Sequence, residues 1–184
     1  MIVKEMVKQS LPLLILCGIG ELCAGTVLES ISGSFHVIPG LIVMIPAVIA
    51  LRGNISAALG SRLGSAYHLG VISLADMWNE DMKQNIYGSL TLSVVMSFFI
   101  GLLAYLTSMV LGLHVGFIKL VVISLFAGTL SGVILIGVAA LVIAVAFKKG
   151  YNPDNITGPI LTTVGDVVTM LCIFTGLIVV EALL

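Results

Sequence analysis

The stretch that decides the fold is FIKLVVISLFAGTLSGVILIGVAALVIAVAF, residues 117–147, in which Lys119 is the one charged side chain. A helix needs about 20 mostly apolar residues to cross the hydrocarbon core of a bilayer. This stretch exceeds that length, so it predicts a transmembrane helix that either tilts or projects from the membrane.

The composition extends this interpretation to the whole chain. Hydrophobic residues make up 59% of the 184 residues, charged residues make up 9%, and the mean hydropathy is +1.23. A globular domain is about 45–50% apolar and roughly 25% charged, so a water-soluble fold would have too few polar side chains to cover its surface. No cluster of lysine and arginine of the kind that binds nucleic acid occurs. We therefore predict an all-α integral membrane protein of the cell membrane, surrounded by lipid.

Breaks of glycine, proline and charge divide the apolar sequence into several transmembrane segments. Five candidate spans result, at about 11–33, 37–60, 86–111, 117–147 and 156–183. The second span carries Pro39 and Pro46, which bend a helix. The connection 61–85 contains Leu63 and Trp78 among polar residues, and we predict that it lies along the membrane interface.

The positive charges predict the orientation. With five spans and the N-terminus inside the cell, only Lys119 of the 8 lysines and arginines lies outside, as the positive-inside rule requires. The cytoplasmic set is Lys4, Lys8, Arg52, Arg62, Lys83, Lys148 and Lys149. We predict the N-terminus inside and the C-terminus outside. Because Arg52 falls within the second span, we expect it to snorkel to the interface or to line a wet cavity.

Three carboxylates, Glu21, Glu29 and Asp166, lie well within the predicted spans. A carboxylate at the centre of a membrane helix costs about 2.5–3.5 kcal/mol, so such residues are functional candidates. Asp166 is the centre of a polar stripe at steps of three or four residues: Asn155, Pro159, Thr162, Asp166 and Thr169. The stripe predicts a helix face toward water in a pore. In the alternative interpretation, Asp166 only bonds a neighbouring helix through Thr162 or Thr163.

The first two spans carry related patterns. Glu21 and Glu29 share a face with glycines that permit close helix approach, in the set Cys17, Glu21, Gly25, Glu29 and Gly33. In the alternative interpretation, a protonated Glu21 is hydrogen-bonded inside the bundle. The second span has a small and polar face, typical of either close packing or a narrow aqueous lining, formed by Ala47, Ala50, Asn54, Ala57 and Ser61. The fourth span carries a packing ladder of Ser124, Gly128 and Gly132.

Two sequence blocks resemble a known family. PAVIALRGNISAALGSRLGSAYHLG, residues 46–70, resembles the second-helix signature of MgtE-type magnesium channels and their eukaryotic solute-carrier relatives. NPDNITGPILTTVGD, residues 152–166, resembles the start of that family's fifth helix. The resemblance implies an MgtE-like transmembrane domain and a homodimer, with a cation path on the two-fold axis between the second and fifth helices.

The resemblance also implies roles for individual residues. Asp166 of each subunit would face the ion, and the carbonyl of Thr162, one turn earlier, would help to hold the hydrated ion. Asn54 of the Gly53–Asn54 pair would lie near the path. The family usually places cytosolic regulatory and CBS domains before its membrane domain. Here about ten residues precede the first predicted span, so we expect residues 1–184 to form a single transmembrane domain without them.

These features together predict a divalent cation channel or transporter rather than an enzyme. Mg²⁺ keeps several waters and binds through one or two carboxylates, which favours it as the transported ion, with Mn²⁺, Co²⁺ and Ca²⁺ as alternatives. The nearest rival is an exchanger in which Glu21 or Glu29 carries protons or sodium. An intramembrane aspartyl protease is disfavoured, because Thr163 rather than glycine lies two residues before Gly165 and neither Glu21 nor Glu29 has a matching protease motif. A noncatalytic membrane subunit is a further alternative.

Overall fold

A computed structural model describes residues 2–73, 76, 78–149 and 153–183, with the side chains of 2–6, 9 and 153–155 left aside. Within these ranges the chain forms five long α-helices and, after the first, a short 3-10 helix (Ser32–Phe35). The helices are α1 (Ile2–Ser30), α2 (Leu41–His68), α3 (Glu80–Val110), α4 (Phe117–Lys148) and α5 (Pro153–Leu183). Each contains a segment long and apolar enough to cross a membrane. The prediction of an all-α, five-span membrane protein is confirmed, while its orientation stays a prediction.

The ends of α2 differ from the predicted span. Pro39 precedes the helix, which begins at Leu41 after the cap residue Gly40. At the other end α2 continues to His68, and the chain then turns at Gly70, whose φ is +72°. This left-handed conformation costs glycine little, and it ends the helix.

Local sequence also sets the start of α3. The side-chain Oδ1 of Asn79 accepts a hydrogen bond from the Met82 N–H at 3.0 Å, which satisfies one of the free donors of the first turn. Glu80 and Asp81 add negative charge where the helix dipole is positive. The connection between α2 and α3 is therefore only 69–79.

The predicted bounds of the connection, 61–85, are therefore wrong, because 61–68 belong to α2 and 80–85 to α3, while its location along the membrane interface stays a prediction. Leu63 lies in α2 and is buried in the core, because α2 runs well beyond the predicted end of the span. Trp78 remains in the connection and is 69% exposed. The apolar side chains of this region therefore divide between the bundle core and the surface.

The helices pack as a bundle of α2, α3, α4 and α5, with α1 at its edge against α5. The largest core cluster draws side chains chiefly from α2, α4 and α5, among them Met44, Val48, Ile123, Ile173 and Leu177. Most side chains of α1 are exposed. In a bilayer these exposed apolar side chains contact lipid, which is as apolar as they are. The position of α1 is therefore set chiefly by its contacts with α5.

A stripe of buried small residues on α3 meets the glycine ladder of α4. The stripe consists of Ser89, Ser93, Ser97, Gly101, Ala104 and Ser108. Ser124 of α4 donates a hydrogen bond to the Ser97 carbonyl at 2.6 Å, and a Cβ on Gly128 would overlap Ser97 Oγ. The predicted packing role of the α4 ladder is therefore confirmed. The serine stripe itself was not predicted.

Candidate cation site

The carboxyl group of Asp166 lies midway along α5, half-buried, and faces α1. The Glu21 carboxyl of α1 lies beside it, although Glu21 itself is exposed on the surface of the single chain. Carboxylate oxygens are the ligands that hard divalent cations prefer. The pair is therefore a candidate cation site.

Two further contacts set the register between α1 and α5. The Cys17 thiol donates to the Pro159 carbonyl at 3.5 Å. A Cβ on Gly20 would overlap Cγ2 of Thr163, so glycine is needed for this approach. Cys17, Gly20 and Glu21 thus face α5 along one side of α1, and Gly20 brings the two backbones close beside the carboxyl pair.

Two glycines of α2 face α5. A Cβ on Gly60 would lie 2.7 Å from Cγ2 of Thr157 and 2.8 Å from Cδ1 of Leu161. Seven residues earlier, a Cβ on Gly53 would lie 3.9 Å from Cγ2 of Thr162. Helices 2 and 5 are therefore direct neighbours, and the Gly53 turn faces α5 one turn before Asp166.

The side chains of the predicted α5 stripe do not all face the same surroundings. Thr162 Oγ1 bonds back to the carbonyls of Gly158 and Pro159 at 3.1 and 3.0 Å. Thr169 is fully buried, and its hydroxyl has no partner among the described residues. The prediction that Thr169 faces water is therefore wrong, because the core of the bundle covers that turn of α5. The Asn155 side chain lies outside the described residues.

The predicted glycine face of α1 is also wrong in part. Within the described part of the chain, no atom outside the local helix lies within 4 Å of a Cβ placed on Gly25 or Gly33, so neither mediates close helix approach there. Glu29 is exposed and lies about 12 Å along the helix from Glu21, given a rise of about 1.5 Å per residue. Glu29 is therefore not part of the carboxyl pair.

The small face of α2 stays uncovered within the single chain. Ala47, Ala50, Asn54 and Ser61 are exposed, and Ala57 is half-buried. The other helices of the same chain therefore do not cover most of this face, and both predicted alternatives, close helix packing and a narrow aqueous lining, stay predictions.

Comparison with known proteins identifies the chain. Residues 45–176 match a family model described as "MgtE: Divalent cation transporter". The chain belongs to the MgtE family. It is 31% identical over 179 residues to solute carrier family 41 member 2 of Homo sapiens, and 30% identical to that of Gallus gallus. It is 28% identical over 166 residues to solute carrier family 41 member 3 of Rattus norvegicus. No solved structure matches the chain significantly.

The extent of these matches differs between the chains compared. The alignments with solute carrier family 41 member 2 cover 90% of this MgtE-family chain but only 30% of the relative. The corresponding shares for member 3 of Rattus norvegicus are 85% and 35%. The chain therefore spans about a third of the length of the curated relatives it matches. It is a multi-pass membrane protein of a divalent cation transporter family, and that family is not a class of enzymes.

The carboxyl groups at this place in the MgtE-family chain form a pair rather than a larger cluster. Among the residues whose side chains are described, no three His, Cys, Asp or Glu side chains come together as a metal-binding group. Glu21 and Asp166 are the two carboxyl groups that lie beside each other between α1 and α5.

The structure corrects the prediction for Arg52. Its side chain is 1% exposed, so it neither snorkels nor lines a wet cavity. The serine stripe of α3 and the carbonyls of α4 supply acceptors inside the bundle. Burial of a charge without an opposite charge costs several kcal/mol. In the sequence, the four-residue spacing of Ser89, Ser93 and Ser97 is the signal that could have indicated a polar helix face to accept hydrogen bonds from Arg52.

Proposed function

We propose that this MgtE-family chain conducts a divalent cation, with Mg²⁺ as the physiological ion, along a path bordered by α2 and α5. The observation that carries the proposal is the half-buried Asp166 carboxyl midway along α5, with a second carboxyl, Glu21, against it. Such a pair within a membrane is costly unless it serves an ion. Membership in a divalent cation transporter family supports the same conclusion.

The path is completed by a second copy of the chain. The uncovered face of α2, with Ala47, Ala50 and Asn54, supports a homodimer in which this face meets its counterpart. Each subunit then contributes one Asp166 and one Asn54 to a path on the two-fold axis. The backbone carbonyl of Thr162, one turn before Asp166, adds a further oxygen.

Hydration explains why such a site both attracts and releases Mg²⁺. The ion dehydrates reluctantly, so the carboxylates bind it through its water shell. Negative charge in a low-dielectric pore draws the ion in, while the retained waters keep its binding weak enough for exit. An inside-negative potential of 100 mV adds about 4.6 kcal/mol for an inward-moving double charge. No chemical energy source is needed.

Flux into proteoliposomes tests the proposal. The purified chain is expected to take up Mg²⁺, and Asp166→Ala is expected to abolish uptake. The matched control is Asp76→Ala, since Asp76 is exposed in the connection between α2 and α3. Competition by Mn²⁺, Co²⁺ and Ca²⁺ in the same assay ranks the ions. Uptake by Asp166→Ala at the wild-type rate would refute the proposed path.

The contact between Glu21 and Asp166 also supports a second candidate, a coupled exchanger. In that mechanism an inbound divalent ion displaces a proton or sodium ion held by the carboxyl pair, which then leaves on the other side. A proton or sodium gradient that drives Mg²⁺ against its own gradient would establish exchange. Purely downhill flux, indifferent to both gradients, would establish a channel.

A further inference from the structure

Arg52 projects from α2 into the space between α3 and α4. Its Nη1 donates to the Gly128 carbonyl of α4 at 3.1 Å, and its Nη2 donates to Ser93 Oγ of α3 at 2.7 Å. Ser93 Oγ in turn donates to the Ser89 carbonyl at 2.6 Å. Because the hydroxyl proton is used there, the Ser93 lone pairs are free to accept from the guanidinium. One side chain therefore connects three helices.

The glycines of α4 make room for this side chain. A Cβ on Gly132 would lie 2.5 Å from Arg52 Nη1 and 2.9 Å from Ser93 Oγ. Alanine at this position would displace the guanidinium or the serine hydroxyl from their bond. The glycine ladder of α4 thus leaves space for the Arg52 side chain and also provides a surface for helix packing.

The partners of Arg52 are neutral. Among the described residues the single ion pair joins Lys83 and Glu80, on the surface. Arg52 Nε is buried and has no hydrogen-bond partner in the described part of the chain. A buried charge held by neutral groups is a costly way to join helices, because apolar side chains of similar volume stabilise as well or better. Stability alone therefore does not account for arginine at this position.

The location of Arg52 within α2 indicates which part of that helix its hydrogen bonds hold in place. Gly53 follows directly and faces Thr162 of α5, and Asn54 is exposed on the face that borders the proposed path. At about 100° per residue, Asn54 and Arg52 point about 160° apart around the helix. Any rotation of this turn about the helix axis therefore moves the Asn54 side chain.

The backbone of α2 is weakened both before this turn and within it. Pro46, about two turns before Gly53, lacks an N–H and leaves the carbonyl four residues earlier without its helical bond. Gly53 adds conformational freedom. The position of the turn then depends on contacts from outside α2, and Arg52 provides two hydrogen bonds from the side opposite Asn54.

We propose that Arg52 is a positioning residue, whose guanidinium holds the Gly53–Asn54 turn of α2 in place at the ion path by bonding α3 and α4. The inference rests on the proposed function, since it assigns a role within that path. It predicts that loss of the Arg52 bonds changes how the path recognises its ion, beyond any effect on the amount of folded protein.

The test uses the full chain, purified and reconstituted, with Arg52→Gln, Arg52→Lys and Ser93→Ala. The readouts are the half-saturating Mg²⁺ concentration and the ratio of Mg²⁺ to Ca²⁺ flux, because neither depends on how much protein is active. Arg52→Gln is expected to raise half-saturation about threefold to tenfold, the factor carried by one or two hydrogen bonds, and to lower the flux ratio. Lysine keeps the charge and one bond, so Arg52→Lys is expected to fall between Arg52→Gln and wild type.

Ser93→Ala removes one acceptor and leaves the arginine in place, so it tests the positioning role of Arg52 even if Arg52→Gln does not fold. It is expected to shift both readouts in the same direction, by a smaller factor. Ser108→Ala is the matched control, because Ser108 is a buried α3 serine bonded only within its own helix, to the Ala104 carbonyl at 2.7 Å. Its readouts are expected to equal those of wild type.

The outcomes separate the inference from the function on which it rests. Absence of Mg²⁺ flux in wild type, or full flux in Asp166→Ala, refutes the proposed function. The positioning role alone is refuted if flux depends on Asp166 but Ser93→Ala and folded Arg52→Gln both keep the wild-type half-saturating concentration and flux ratio.

Discussion

Glu21 of α1 lies beside Asp166 of α5, so a carboxyl group of the most exposed helix meets a carboxyl group of the most buried one. Neighbouring like charges repel each other in a medium of low dielectric constant. A cation bound between the two carboxyl groups would relieve this repulsion and would link α1 to α5.

The first prediction concerns Glu21. Glu21→Gln is expected to raise the half-saturating Mg²⁺ concentration roughly tenfold or more, because a hydrogen bond or ligand contact to a charged group contributes about 1.5–3 kcal/mol. Flux titration of the purified protein measures the change. Glu29→Gln is expected to have a smaller effect, since Glu29 lies about two turns further along α1. Equal effects of the two substitutions would contradict a special role for the carboxyl pair.

The second prediction concerns the contact between α1 and α5. Gly20→Ala is expected to destabilise the protein by about 1–3 kcal/mol, the usual cost of overpacking, because the new methyl group meets Thr163 Cγ2. Thr163→Ser removes that methyl group, so it should restore stability in the double variant. Thermal unfolding in detergent measures both. Gly25→Ala is the control, since the space around Gly25 is open, and a comparable loss there would rule out the steric explanation.

The third prediction concerns the contact between α2 and α5. Gly60→Ala is expected to lower both thermal stability and Mg²⁺ flux, because its methyl group would meet Thr157 and Leu161 at less than contact distance. Gly64 lies one turn further along α2, and a Cβ placed on it would have no atom of another described element within 4 Å. Gly64→Ala should therefore be neutral or slightly stabilising, given the better helix propensity of alanine. Identical behaviour of the two variants would show that α2 and α5 are not packed as described.

The fourth prediction concerns the start of α3. Asn79→Ala is expected to cost about 0.5–2 kcal/mol of stability through loss of the helix cap. Asn79 Nδ2 also donates to the Val71 carbonyl at 2.6 Å. Asn79→Asp keeps the capping oxygen and loses this donor, so its melting temperature should lie between those of Asn79→Ala and wild type. A wild-type melting temperature for Asn79→Ala would refute the capping role.

The sequence was sufficient for the parts of the fold that depend on one helix at a time. Apolar runs predicted five spans, and the spacing of residues along α5 predicted Asp166 at its centre. The sequence blocks around residues 46–70 and 152–166 indicated the MgtE family.

Relations between helices could not be obtained in this way. The contact between Glu21 and Asp166 depends on the relative height of α1 and α5, which no single helix encodes. Arg52 was misjudged because its acceptors lie on α3 and α4, far away in sequence. Thr169 shares the spacing of Asp166, yet the neighbouring helices cover it.

The position of α1 at the edge of the bundle, chiefly against α5, has a consequence for biosynthesis. Glu21 leaves the ribosome well before Asp166, by on the order of ten seconds at the usual speed of translation. During that interval α1 lacks its main partner, and its carboxyl must be tolerated by lipid or by the insertion machinery. The contact between α1 and α5, and with it the candidate cation site, can therefore form only when the fifth helix enters the membrane.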